Sequence, residues 1–297
     1  MKTKYFWTII FLSVFFIMPV ATIGQMSGNI VYDKPYSKKY RNTGTEQKVH
    51  LSDSTMLVQA KVLMNVLADE YVVVFGVAQE GETVSESNDK ITKRIDNFIS
   101  EIKKLGISSK DYYVDFITQN RVYEYEKTGN TVYEKEAGFV LKKNISIHFI
   151  DKKLIDNITI IASKHEIYDL IKVDYIVLDI PKIKKRLFEE AIKIIKSKKD
   201  MYVSQMNVQL LSASRVYYEK HTSYYPSDLY QSFTAFETGK VKTDYYSKTT
   251  TVNKRKMKTF YFSPVQSGFD LVINPVIIEP VIQFSYMLEM KYEIKRK

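Results

Sequence analysis

The sequence contains no cysteine. That absence excludes disulfide scaffolds, zinc-thiolate sites, thiol nucleophiles and anchoring through a lipid-modified cysteine. Stability must then come from a buried core. Glycine is also scarce: the ten glycines stand at 24, 28, 44, 76, 81, 106, 129, 138, 239 and 268, too dispersed for a phosphate loop or a dinucleotide fingerprint. No Gly-x-Ser-x-Gly elbow is present either. No cofactor is expected. The four histidines, His50, His148, His165 and His221, are far apart in the chain. Only His165 has a carboxylate four residues on, at Asp169, which is one pair and not a metal motif, so no metal is expected. His148 falls on the polar side of its strand and reads as a plain surface residue. The acidic pairs Asp69-Glu70 and Glu189-Glu190 are adjacent and point apart, as solvated charges do. No catalytic residue is nominated, and the chain is not expected to be an enzyme.

A basic excess exists, +10 in all, but it is spread along the chain and not gathered into one face. With no helix-turn-helix or RNP-like signature, nucleic acid is not an expected partner. Weak attraction to an anionic envelope surface is compatible with that charge.

The first residues have a recognisable layout. Met1-Lys2-Thr3-Lys4 is basic, an apolar run from Tyr5 to Val20 follows, and small residues come next at Ala21-Thr22-Ile23-Gly24. This is the pattern of a secretory signal over 1–24, with cleavage expected after Gly24; a retained membrane anchor is the alternative. Its removal takes away Lys2 and Lys4 and leaves 42 basic against 34 acidic residues, +8. Residues 25–54 are polar, with no sustained apolar period, and read as an N-terminal arm or linker.

From 55 to 294 the patterning is that of one folded domain. Strands are predicted at Met56-Leu57-Val58 and Tyr71-Val72-Val73-Val74-Phe75, the second apolar on both faces as in a central strand. Thr83 and Glu86 stand at capping-box spacing before a helix whose stripe is Ile91, Ile95, Phe98, Ile102 and Leu105, closed by Gly106. Residues 111–125 are extended, and Glu126 to Thr131 forms a hairpin loop into a strand that points Phe139, Leu141, Ile145, Ile147 and Phe149 one way. Asp151 is placed to cap a short helix with Leu154, Ile155, Ile158 and Ile161, and Ile171 to Val177 alternates as a strand. The order strand, helix, strand, strand, helix, strand is the split βαβ, ferredoxin-like one: an α+β fold, with an antiparallel sheet and helices packed on one face. Pro181 opens an extra helix through Ile195, Val203 to Val216 reads as extended, and long C-terminal strands follow. The last, 282–294, alternates cleanly and would run about 40 Å at roughly 3.3 Å per residue, past its own core and in need of an edge partner.

Tyrosine is the most unusual abundance, 23 residues, dense within a Tyr/Lys-rich insertion at 217–262. Tyr217-Tyr218, Tyr224-Tyr225 and Tyr245-Tyr246 are the candidate interface or ligand residues. Three readings stay open for them: strand positions in a half-buried sheet, a self-association interface making a homo-oligomer, or a stacking surface for a small ligand or glycan. Repeated long amphipathic helices argue against a membrane-spanning barrel.

Several short motifs, taken in order, give the sequence a family likeness. They are Phe75-Gly76-Val77, Leu105-Gly106-Ile107 before Asp111, and Ala137-Gly138-Phe139 leading into Asp151-Lys152-Lys153-Leu154, then the helix near Pro181 and the closing strand from Ile277. In these the chain resembles the SIMPL family of exported bacterial proteins. The resemblance implies an α+β domain in the periplasm or envelope, assembly into rings in some members, no established enzymatic activity and a loose link to envelope stress. It brings no catalytic residues. The chain departs from the family pattern in its Lys- and Ile-rich third helix, where relatives are alanine-rich, and in the length of 217–262.

Overall fold

A computed structural model describes residues 30–31, 49–52, 54–243 and 250–295. The expected signal, 1–24, lies outside the described residues. The chain divides into two compact units, one built from 34–232 and 260–297, the other holding Phe233–Thr259 and the described residues 30 and 31.

The larger unit carries two sheets. The first is continuous in sequence: β4 (Glu70–Gly81), α1 (Val84–Ile102), β5 (Tyr112–Thr128), β6 (Thr131–Phe149), α2 (Leu154–Lys164) and β7 (Asp169–Ile176). Its strands lie in the order β7-β4-β6-β5, every neighbouring pair antiparallel. This is the ferredoxin-like order read from the sequence. β4 is central, as its apolar character on both faces implies. Val73, Phe75 and Val77 of β4 and Leu141, Ile145 and Ile147 of β6 meet Ile91, Ile95, Phe98 and Ile102 of α1 and Ile158 and Ile161 of α2 in one core. Thr83 caps α1 by accepting the Glu86 N–H at 3.2 Å, while the Glu86 carboxylate accepts from the Glu82 N–H at 2.9 Å, a reciprocal cap shifted one residue outward from the expected box. Gly138, at φ +146, lies against β4 where a Cβ would run into the Gly81 carbonyl, so only glycine fits that crossing.

The second sheet draws on distant segments. β3 (Thr55–Val66) is flanked by β12 (Ile282–Ile294), with β8 (Leu210–Tyr224) beyond it, and β11 (Leu271–Ile273) and β2 (Val49–Leu51) share its other edge. Val58, Ala60, Val62, Phe284, Tyr286 and Leu288 pack on Ile183, Leu187, Ala191 and Ile195 of α3 (Ile180–Met206). Asp179 caps α3, accepting from the Lys182 N–H at 3.0 Å, with Pro181 in its first turn as expected. The α+β class, with mainly antiparallel strands backed by helix on one face, thus holds for each sheet, the short β11 alone running parallel to its neighbour β3.

Three expectations change. Val203 to Met206 is helical, because α3 runs on to a left-handed C-cap at Asn207, and the strand starts only at Leu210. The hairpin loop after β5 tightens to Gly129-Asn130, since β5 and β6 pair out to Thr128 and Thr131. β12 needs no edge partner: Ile282 to Glu293 pairs with β3 on one side and β8 covers the other, so it is an interior strand of its sheet.

After β8 come α4 (Pro226–Leu229), β9 (Tyr230–Thr243) and β10 (Thr250–Phe262), the long-hairpin option for the Tyr/Lys-rich stretch. The smaller unit is built around a three-stranded arrangement, β1 (Ile30–Val31), β9 and β10, with Ile30 opposite Ala235.

Candidate functional site

The predicted tyrosines fall on β8 and just beyond it. β8 is an edge strand, and its register on β12 slips between Glu289 and Met290, which face Tyr218 and Val216. Tyr217 is therefore the extra residue of a bulge, a common way of blunting a sheet edge. Tyr217 and Tyr218 are exposed. Tyr224 lies opposite Gln283 and is half-buried, and Tyr225 stands at the N-cap of α4. The two pairs sit about 23 Å apart at roughly 3.3 Å per residue, so they do not form one platform. Tyr245 and Tyr246 lie outside the described residues.

Two clusters that the sequence did not single out are built nearby. On the α3 side of β8 and β12, Tyr286 donates from its buried hydroxyl to the Glu219 carboxylate at 2.9 Å. His221 stacks on the Tyr286 ring at 4.3 Å between centroids, and Phe188 of α3 lies 6.2 Å away. Burial first, and then the Glu219 hydrogen bond, hold the Tyr286 phenol far above its ordinary range. Burial, and next the Lys184 ammonium, hold His221 below the usual imidazole value. The Tyr286 ring is thus enclosed, and its phenolic proton is committed to Glu219.

The other cluster is on the helix-free face of the ferredoxin-like sheet. His148 Nε2 lies 3.0 Å from the Glu70 carboxylate and its Nδ1 3.6 Å from that of Asp111. Asp111 is fixed in turn by Ser108, whose hydroxyl and N–H both donate to it, the latter at 3.0 Å. The Ser108 hydroxyl is the first cause holding the Asp111 carboxyl below its usual value, with the Ser108 N–H next and His148 adding. The expectation of a plain surface residue fails for His148, which is half-buried and clamps β4, β6 and the turn before β5. His165 likewise bonds Glu101 of α1 at 3.1 Å, while Asp169 sits opposite Gly76. Both partners are long-range in sequence, and no local spacing announces them. Among the described residues no group of three or more His, Asp or Glu is arranged to hold a metal ion. Nor is any described helix long and apolar enough to cross a membrane.

Fold and clusters together define an α+β protein whose larger unit holds two mainly antiparallel sheets, one of them ferredoxin-like, with its polar chemistry in strand-clamping networks. The chain belongs to the SIMPL family, whose model, a protein of unknown function (DUF541), matches residues 57–255. The match takes in the whole ferredoxin-like sheet and α3 and stops short of β11 and β12. A comparison with curated proteins finds none that matches.

Proposed function

We propose that this chain is an exported protein of the periplasm or cell envelope that works by self-association and scaffolding, without catalytic turnover, and has no nucleic-acid partner. The observation that carries the reading is its exposed aromatic edges. β5 and β6 pair with each other beyond Gly81↔Phe139, where β4 ends, and form a two-stranded ribbon bearing exposed Tyr123, Tyr125 and Tyr133. A ribbon of two strands is marginal by itself in water, and tyrosine is a residue of protein interfaces. Tyr217 and Tyr218 add a second exposed aromatic pair on the β8 edge. Export is supported by the layout of residues 1–24, and the +8 charge left after them suits loose attachment to an anionic envelope surface. Light scattering on residues 25–297 tests the reading. A mass of several chains at micromolar concentration is expected, and a clean monomer would sink it.

A further inference from the structure

The strand registers gather several connections at one end of the larger unit. Val66 closes β3 opposite Ile282 at the start of β12, Tyr71 opens β4 opposite Phe149 at the end of β6, and Glu70 lies opposite Ile176 at the end of β7. The turns after β3, β6 and β7 and the loop between β11 and β12 therefore emerge together. Leu67, Ile150 and Leu178 are exposed in the three turns, and Val276 and Ile278 in the loop are 83% and 92% exposed. A single exposed aliphatic side chain means little, but five in adjoining connections mark an interaction surface.

The surface is held on an ordered frame. Asn65 and Asn274 each donate a side-chain amide to the other's carbonyl at 2.9 Å, anchoring the start of the loop. The Lys152 ammonium pairs with the Glu279 carboxylate, and Asp69 accepts from the Leu178 N–H at 2.9 Å. Acidic side chains outnumber basic ones around it: Asp69, Glu70, Asp151, Asp179 and Glu279, against Lys152, Lys153 and Lys182. The Tyr71 hydroxyl, raised first by burial, is raised next by Glu279, lowered by Lys152, and raised in smaller measure by Asp151 and Asp69.

An acidic, aliphatic surface on a chain of net charge +10 finds its complement on the chain itself. Lys185, Arg186 and Lys196 stand exposed on α3 with no ion-pair partner among the described residues, outnumbering the one exposed acid among them, Glu189, and beside them Phe188 exposes part of its ring. We propose that the end bearing Leu67, Ile150, Leu178, Val276 and Ile278 docks on the basic side of α3, around Phe188, in a second copy of the chain. The inference rests on the self-association reading and assigns it a surface. Since the two faces differ, each copy keeps one of each open, and assembly continues past two copies. Rim charges of opposite sign make the contact weaken as salt rises.

The absence of cysteine makes the test direct. Mature chains carrying Ile278→Cys and Lys185→Cys are oxidised each alone and, from the reduced state, as a mixture. Cross-linked pairs are expected in the mixture and not in either alone; cross-linking of Ile278→Cys by itself would overturn the head-to-tail arrangement. Val276→Ser with Ile278→Ser, both on exposed positions and neither adding charge, is expected to leave the circular dichroism unchanged and weaken association by about tenfold or more. If the wild type is multimeric and this variant keeps its mass, the docking surface is wrong while self-association stands; if the wild type is a monomer, both fall. Loss of binding to anionic phosphatidylserine vesicles in the variant, with its mass unchanged, would assign the surface to lipid and overturn the proposal.

Discussion

The two sheets of the larger unit are made from opposite kinds of sequence. The ferredoxin-like sheet is local: Glu70 to Ile176 supplies all four strands and both helices without interruption. The other joins β3, near residue 60, to β12, near residue 290, and places α3 against both. Each has one helix-backed core, yet closing the first requires only short loops, while closing the second must bring segments about two hundred residues apart together. Local pairing leaves the first sheet with the capacity to stand by itself. The second depends on the closing strand.

The sharpest way to break that comparison is to remove β12. A chain ending at Glu279 loses an interior strand of the second sheet, with Phe284, Tyr286 and Leu288 from its core. It is expected to yield a protease-resistant fragment covering about residues 69–178, identified by mass spectrometry. Complete digestion would show that the first sheet cannot persist without the second.

Within the full chain, Phe98→Ala comes next. Phe98 is wholly buried against Phe75, ring centroids 6.1 Å apart, and the change should cost about 3–5 kcal/mol in urea unfolding. A loss below about 1 kcal/mol would mean that α1 contributes little to its sheet. In the second sheet the comparable weak point is polar. Gln283, fully buried, donates to Asn65 Oδ1 at 2.7 Å and to the Val265 carbonyl at 2.8 Å, and accepts from the Val265 N–H at 2.7 Å. Gln283→Leu strands those groups and should cost about 1–3 kcal/mol by the same measurement. If it is neutral, the 263–270 segment is not held by this network.

How much of this was legible follows the same division. The order of elements in the ferredoxin-like half could be read from periodicity and caps, because Thr83, Gly106 and the alternation at 139–149 are local signals, but Asp151 does not cap α2: its carboxylate accepts from the Lys153 N–H, and Lys153, with no side-chain cap, stands at the N-cap. The second sheet could not, because nothing in Thr55–Val66 says that its partner is Ile282–Glu293 or that α3 will cover both. The same limit hid the clusters: His148 meets Glu70 across 78 positions and His165 meets Glu101 across 64. The tyrosine density at 217–225 was visible, but the bulge that exposes Tyr217 is set by β12, which arrives last in the chain.

The two sheets should also differ in their response to acid, the smallest of the expected effects. His221 in the second sheet and Asp111 in the first are both held below their ordinary values. A folded-state value below the unfolded one means that the unfolded chain binds the proton more tightly, so stability is full above the unfolded value and falls as the proton is taken up. For His221 that decline begins near pH 6.5, and for Asp111 only below about pH 3.9. His221→Phe, which keeps a ring on Tyr286, should gain on the wild type in urea midpoint as pH drops from 8 to 5, and Asp111→Asn should gain only as pH drops from 4 toward 2. If both variants gain in the same window, the acid sensitivity belongs to one shared network and the two sheets titrate as one.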